Sequence, residues 1–380
     1  MTRTWSRRHV FLVCRLALVV IFLSWFASFY KPGFGFTSVL QFNRRGADTR
    51  IERLRDVPID VQPGAGYDGQ YYAQLAVDPL LRDSSIDAAL DSPPFRARRI
   101  LFSWTAWLMG LGRPSWVVQA YSVQNALFWI AFAVWLRWRL PGDTVEDLFV
   151  WTACLFTPGM LDSTRLALID GPSACVLAVG VEAIERGRLW AGSIVLGVAG
   201  LARETNLLAG VALWPKRFSV RAIAAAAGAA LLVILPTLIW FDYLRSIYRS
   251  TVTQSLDQLS MPFVAYQDAS DRLYRVARRA GFVSPRALPW LAFVGTSAQA
   301  LYVLAIHRWR SAWWRVGVAF ICLMMVIRPE IWLGAYLRVL LPLTLAFNLS
   351  LPRDRSFWPV FVLGNLGLAT SVRLIASAFG

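Results

Sequence analysis

The sequence predicts an all-α polytopic membrane protein, a bundle of about nine firm transmembrane helices with a short helical hairpin in a single transmembrane domain, 1–380. Hydrophobic residues make up 57% of the 380 positions and charged residues only 16%, which is not the composition of a soluble domain. Apolar runs long enough to cross about 30 Å of hydrocarbon recur along the chain. Basic residues collect in the short loops between alternate runs, as they do on the cytoplasmic side of membrane proteins.

Nine apolar runs account for the predicted spans. They lie at 10–30, 115–136, 146–161, 166–184, 220–240, 288–306, 312–328, 333–350 and 357–378. Arginines precede the first run, as they precede the apolar region of a signal peptide. This run is longer than such a region, however, and no small-residue cleavage pattern follows it. The first run is therefore interpreted as a helix.

Residues 190–214 do not fit a pattern in which each span connects a cytoplasmic loop to an outer loop. Basic loops flank them on both sides, and the charged pair of "LARETNLLAG" lies at their centre. A hairpin of two short helices that reaches the outer face and returns reconciles these facts. The pair, Arg203 and Glu204, then lies at the outer tip.

The net charge of +16 raises the alternative of nucleic-acid binding, but its distribution favours a topological role. If the spans alternate, the basic clusters share one face, which predicts a plasma (inner) membrane protein with a cytoplasmic amino terminus. The chain then contacts the lipid bilayer and no nucleic acid. The clusters are Arg3/Arg7/Arg8, Arg137/Arg139, Arg186/Arg188, Lys216/Arg217/Arg221, Arg308/Arg310/Arg315 and Arg353/Arg355.

Two extracytoplasmic loops follow from this topology. The first, 31–114, is long enough to predict a functional role, and its run between Arg99 and Gly112 is too short to cross the bilayer, so we expect a helix at the outer interface. The second, 241–286, contains the amphipathic pattern "DRLYRVARRAGF".

Metal and cofactor motifs are missing from the sequence. The four cysteines fall within predicted spans without CxxC spacing, so neither a disulfide framework nor a zinc site is indicated. No phosphate-binding glycine loop and no D-x-D pair is present. No cofactor is firmly indicated, and a divalent metal remains an alternative without a supporting motif. Any donor substrate is therefore expected to lie in the membrane itself.

Asp68, in the stretch "GYDGQYYAQLAVDPL", is the leading candidate for chemistry. A carboxylate at a membrane boundary indicates function when it is not simply a solvated loop charge. The alternative is structural, because Asp-Gly is a common turn dipeptide and tyrosines populate interfacial belts.

The outward arginines allow two interpretations. Several guanidinium groups on one face could hold a phosphate through paired hydrogen bonds, or they could form structural ion pairs, as Arg203 with Glu204 and Arg328 with Glu330, and anchors to lipid headgroups. Asp170 in "LIDGPSACVL" resembles a helix N-cap followed by proline in the first turn. For Asp170 a capping role is the favoured interpretation.

These motifs resemble those of the GT-C superfamily of polytopic glycosyltransferases, in its bacterial, polyprenyl-phosphate-sugar-dependent branch. "YDGQYYAQLAVDP" is similar to the motif that follows the first span in bacterial members, and "LARETNLL" and "RPEIWLGAYLRVLLPL" look like two later motifs. The resemblance implies a polyprenyl-phosphate sugar donor, a glycan or lipid-linked acceptor, and a reaction on the extracytoplasmic face with Asp68 as general base. It also implies a substrate site formed by Tyr67, Gln70, Tyr71, Tyr72, Arg96, Arg98, Arg99, Asp170, Arg203, Glu204, Arg328, Glu330 and Arg338.

Two other classes of function remain open from the sequence. A transporter or flippase of lipid-linked saccharides would also have many spans, but it should carry internal repeats and mid-membrane charges. A polymerase or ligase of surface polysaccharide would use outer arginines without needing Asp68.

Overall fold

The computed structural model describes residues 7–248 and 259–379, and the regular elements within these ranges are helices without strands. Arg3 of the first basic cluster and residues 249–258 of the second outer loop lie outside the described residues. The helices before the first long buried span are α1 (Arg7–Ala27), α2 (Arg44–Asp48), α3 (Gly69–Val77), α4 (Ile86–Ala89), α5 (Pro93–Ala97) and α6 (Leu101–Met109). The remaining helices are α7 (Pro114–Arg139), α8 (Val145–Leu155), α9 (Pro158–Arg165), α10 (Asp170–Glu185), α11 (Leu189–Ala202), α12 (Val220–Ile247), α13 (Val264–Ala280), α14 (Leu288–Ile306), α15 (Ala312–Val326), α16 (Pro329–Trp332), α17 (Tyr336–Val339), α18 (Leu341–Ser350), α19 (Phe357–Gly364) and α20 (Leu368–Ala376).

Four of the described helices are long and apolar enough to cross a membrane: α1, α7, α12, and α14 with the 3₁₀ turn before it. A fifth span results if the bent pair α19 and α20 counts as one. The other predicted spans correspond to shorter helices. Proline contributes to their division, because Pro158 begins α9 directly after α8, and Pro342 lies in the first turn of α18. The count of nine therefore stays a prediction.

The hairpin expected at 190–214 is present. Helix α11 ends at Ala202, and a 3₁₀ helix, Glu204–Leu213, returns along it. The returning end is fixed by Arg315, which donates to the carbonyl oxygens of Ala212 and Trp214 at 2.8 and 2.7 Å. Arg203 and Glu204 consequently lie at the turn, as the charge pattern predicts.

Helix α10 connects two charged regions at opposite ends of the bundle. Near its carboxyl end, Glu182 accepts a hydrogen bond from Arg186 and forms an ion pair with Arg139, each at 2.8 Å. At its amino end, Asp170 pairs with Arg203 and Arg338. At about 1.5 Å per residue, Asp170 and Glu182 are separated by roughly 18 Å along the axis. The basic loops and the candidate site therefore occupy different ends of the molecule.

The segment 31–114, predicted as the first extracytoplasmic loop, is folded against the bundle through one face of α3. Gln74 accepts from the backbone N–H of Ile51 at 2.8 Å and donates to the carbonyl of Ala89 at 2.9 Å. Gln70, one turn earlier, accepts from the N–H of Asn43 at 3.3 Å. Buried amides thus satisfy the backbone of an irregular segment, which keeps the loop ordered.

The two helices predicted outside the spans, one in 99–112 and one in 241–286, are present. Helix α6 exposes Leu108 and Met109, and its position at the outer interface stays a prediction. Helix α13 covers the "DRLYRVARRAGF" pattern and buries Ala265, Ala269 and Ala277 on one side. Both helices flank the end of the bundle that carries the candidate site.

Candidate active site

Asp68 is positioned by the close approach of α3 to the turn before α10. It lies at the N-cap position of α3, but its side chain does not cap the helix. A Cβ at Gly69 would lie 2.5 Å from the carbonyl oxygen of Leu166, so only glycine permits this approach. The Asp-Gly pair of the sequence thus brings Asp68 to the end of α10 where Asp170 lies.

Arg96 holds the Asp68 carboxylate and is itself held by Asp91. Its Nη2 donates to Asp68 Oδ1 at 2.8 Å. Its Nε and Nη2 donate to the two oxygens of Asp91 at 2.8 and 2.7 Å. Burial opposes the charge of Arg96, but the hydrogen bonds to Asp91 and the charge of Asp68 outweigh burial and raise its pKa. Arg96 is therefore a fixed cation shared by two carboxylates.

A second ion pair joins the segment 31–114 to the tip of the hairpin. Arg99 Nε donates to Glu204 Oε2 at 3.0 Å, and Arg99 Nη1 lies 3.4 Å from the Tyr72 hydroxyl. Burial alone would raise the pKa of Glu204, but the charge of Arg99 lowers it below its ordinary value. Glu204 consequently stays ionised and paired. The pairing expected within the sequence, Arg203 with Glu204, is replaced by pairs to other elements.

Asp170 is the centre of a buried ion triad. Its Oδ1 pairs with Arg203, and its Oδ2 lies 3.4 Å from Arg338 Nη1. Arg338 also donates from Nη2 to the Tyr67 hydroxyl at 2.8 Å. The preferred interpretation of Asp170 as a helix cap is wrong. Ile169 occupies the N-cap position of α10 and makes no side-chain cap bond. The carboxylate of Asp170, one residue later, is instead bound to the guanidinium groups of Arg203 and Arg338.

These groups surround a cavity of about 510 Å³. One wall is polar and consists of Asp68, Tyr72, Arg96, Arg99, Asp170, Arg203, Glu204, Thr205 and Arg338. The other wall is apolar and is formed mainly by Leu168, Ile169, Leu208, Leu259, Leu323, Ile327, Ile331, Ala335 and Val339. Four arginines face three carboxylates, so the lining carries one more positive than negative charge.

The remaining predicted site residues do not line the cavity. Tyr71 packs under Arg96, whose guanidinium carbon is 4.9 Å from the ring centre. Gln70 binds the backbone N–H of Asn43. Arg98 lies over the ring of Phe241 at 5.6 Å. The pair of Arg328 and Glu330 is largely exposed, with 4.0 Å between the charged atoms.

Sequence reasoning missed Asp91 and the apolar wall. Asp91 ends the acidic tract "RDSSIDAALD" and precedes Arg96 by five residues, but α5 begins between them, so helical spacing gives no sign of the pairing. The apolar wall is drawn partly from α15, α16 and α17. Its residues resemble ordinary membrane-span residues, and no sequence signal separates them.

A comparison with known families matches this chain to the model described as Glycosyltransferase family 87, over residues 93–333. The matched segment includes Arg96, Arg99, Asp170, Arg203 and Glu204 of the cavity. Asp68 and Arg338 lie outside it. No curated protein and no solved structure matches the chain.

Proposed function

The chain belongs to glycosyltransferase family 87, a GT-C type family of membrane glycosyltransferases, and from this premise we propose its substrates and mechanism. The donor is a polyprenyl-phosphate sugar. The acceptor is a hydroxyl of a lipid-linked or cell-envelope glycan. The reaction takes place on the extracytoplasmic face of the plasma membrane, with Asp68 as general base.

The division of the cavity into a charged and an apolar wall is the observation that supports this donor. A polyprenyl-phosphate sugar combines an anionic phosphate with a hydrocarbon chain, and each part has a matching wall. A nucleotide sugar has no apolar chain to place against Leu323, Ile327 and Ile331. Within the polar wall, the group of Arg203, Arg338 and Asp170 carries one excess positive charge, which suits the one charge of a phosphodiester.

Asp68 is the cavity carboxylate best suited to accept a proton. Its side chain is 39% exposed, compared with 22% for Glu204 and 8% for Asp170. Arg96 donates its one hydrogen bond to Asp68 at Oδ1. Asp170 lies between two guanidinium groups, and Glu204 is bound by Arg99, so both are already neutralised by cations.

In the proposed step, the acceptor oxygen bonds to the anomeric carbon as the bond from that carbon to the phosphate oxygen breaks. The hydroxyl proton passes to Asp68, and the electron pair of the broken bond leaves with the polyprenyl phosphate. Arg99, Arg203 and Arg338 stabilise the charge that grows on this phosphate. Tyr67 and Tyr72 orient the site through their hydroxyl contacts to Arg338 and Arg99.

Removal of a cavity arginine tests the phosphate contact. We expect Arg203→Ala to lower kcat/KM for polyprenyl-phosphate hexoses by about 10- to 150-fold, which corresponds to about 1.5–3 kcal/mol for one charge-assisted contact. The sequence predicts the same of Arg328, but the exposed position of Arg328 outside the cavity makes Arg328→Ala the matched control, with a rate near that of wild type. Equal rates for wild type and Arg203→Ala would remove Arg203 from donor binding.

The orientation in the membrane has its own test. The site and the basic loops occupy opposite ends of the bundle, so an extracytoplasmic site requires cytoplasmic basic loops. A membrane-impermeant thiol reagent applied from outside should label single cysteines at positions 84 and 260 but not at 139 or 310, in a background without the four native cysteines. Labelling at 139 from outside would reverse the orientation and place the reaction on the other face.

A further inference from the structure

We propose that Asp91 is a positioning residue that keeps Arg96 from neutralising Asp68 and so maintains Asp68 as an effective base. This inference rests on the proposed function. It concerns a residue that does not line the cavity and therefore acts through Arg96 and not on the substrate.

The geometry of Arg96 shows an unequal division between the two carboxylates. Asp91 receives the forked pair of donors, Nε and Nη2, at 2.8 and 2.7 Å. Asp68 receives one hydrogen bond, from the same Nη2, at 2.8 Å. Paired hydrogen bonds between a guanidinium and a carboxylate are the stronger arrangement. Asp91 is therefore the principal partner of Arg96, and Asp68 is the secondary one.

The charge balance gives this division a chemical consequence. One guanidinium serves two carboxylates, so the group of three keeps a net negative charge. Without the charge of Asp91, the whole positive charge of Arg96 acts on Asp68, and the guanidinium is free to turn its fork toward it. A carboxylate bound in this way holds its negative charge more firmly and accepts a proton less readily. Asp91 thereby supports the basicity of Asp68.

Other charged and titratable groups around Asp68 do not replace this role. The tyrosines near Asp68 are neutral in their protonated form, and the other cavity cations are bound to Glu204 or Asp170. Arg45 influences Tyr71 and is not hydrogen-bonded to Asp68. The groups concerned are Tyr67, Tyr71, Tyr72 and Tyr121, the cations Arg45, Arg99, Arg203 and Arg338, and the anions Asp170 and Glu204.

Asp91→Asn tests the inference, with label transfer from polyprenyl-phosphate hexoses to the acceptors of native membranes as the assay. We expect kcat at neutral pH to fall by roughly three- to tenfold, because a weaker base transfers the proton less effectively. We also expect the acid limb of the pH profile of kcat/KM to move to lower pH, because Asp68 then stays ionised in more acidic solution. The KM for the donor should change little, because Asp91 does not line the cavity.

Two controls separate this role from a structural one. Asp87→Asn, in the same acidic tract, removes a carboxylate that accepts from the Tyr248 hydroxyl at 3.0 Å and contacts no arginine of the site. It should leave the pH profile unchanged. Asp91→Glu, which keeps the charge, should restore the position of the acid limb at least in part.

The outcomes distinguish this inference from the proposed function. A rate loss in Asp91→Asn with an unmoved acid limb, or no rate loss at all, would overturn the role of Asp91. If Asp68→Asn is inactive in the same assay, Asp68 remains the proposed base even when the role of Asp91 is overturned. Near-normal transfer by Asp68→Asn would instead overturn the base itself, whatever the result for Asp91.

Discussion

Asp68→Asn protein should turn over at least about a hundredfold more slowly than wild type, since general-base catalysis typically contributes about 10²–10⁴-fold. Asparagine is nearly the same size as aspartate and can still accept the hydrogen bond from Arg96. In the wild type this bond joins Arg96 Nη2 to Asp68 Oδ1 at 2.8 Å. It cannot accept the proton of an acceptor hydroxyl. The variant should therefore fold and bind donor while its chemical step fails.

The measurement needs both rate and stability. Purified Asp68→Asn and wild type are compared for transfer from polyprenyl-phosphate hexoses and for melting temperature, which should be similar because Asp68 is partly exposed. Asp162→Asn, which removes the partner of Arg165 outside the cavity, serves as a carboxylate control and should keep its activity. Near-normal turnover by Asp68→Asn would mean that another group is the base. It would also favour the alternative of a polysaccharide polymerase or ligase, which does not need Asp68.

Asp170→Asn should destabilise the protein by about 3–5 kcal/mol, the usual cost of breaking a buried ion pair by removing one partner. The Asp170 side chain is only 8% exposed, and its loss leaves the buried guanidinium groups of Arg203 and Arg338 without their shared anion. Repulsion between these two cations should also disturb the phosphate site. We therefore expect activity to fall together with stability.

The same substitution separates the ion triad from a helix cap. Asparagine is as good an N-cap residue as aspartate, so a capping role predicts little change in the free energy of unfolding. Asp162→Asn again provides the comparison, because its partly exposed pair with Arg165, between neighbouring turns of one helix, should contribute only about 0–1 kcal/mol. Equal unfolding free energies for Asp170→Asn and wild type would contradict the buried triad.

Local patterns in the sequence predicted much of the fold. Arg203 and Glu204 reach the tip of a hairpin because charge is costly in hydrocarbon and favourable at its edge. The same local reasoning did not predict the count of spans, since a proline such as Pro158 allows an apolar run to divide into two short helices. Hydropathy records the apolar run and not the break within it.

The site was less predictable because its contacts join distant elements. Arg99 and Glu204 are 105 residues apart, and Arg338 is 168 residues from Asp170. Rules based on sequence spacing favour pairs between neighbouring residues. They predicted that Arg203 pairs with Glu204 and that Asp170 caps α10. Asp68 could be singled out because it is a carboxylate at a predicted membrane boundary and because its motif resembles one of the GT-C superfamily. Its partner Arg96 could be identified only from the folded loop.

The most direct test of the central proposal follows a labelled sugar from its lipid carrier. Wild-type protein in native membranes is supplied with polyprenyl-phosphate hexoses labelled in the sugar, and Asp68→Asn is run beside it. We predict that label moves to the glycan or glycolipid fraction, that an equal amount of polyprenyl monophosphate appears, and that both changes are lost in Asp68→Asn. Transfer of label only from a nucleotide sugar, with no consumption of any polyprenyl-phosphate hexose, would contradict the account.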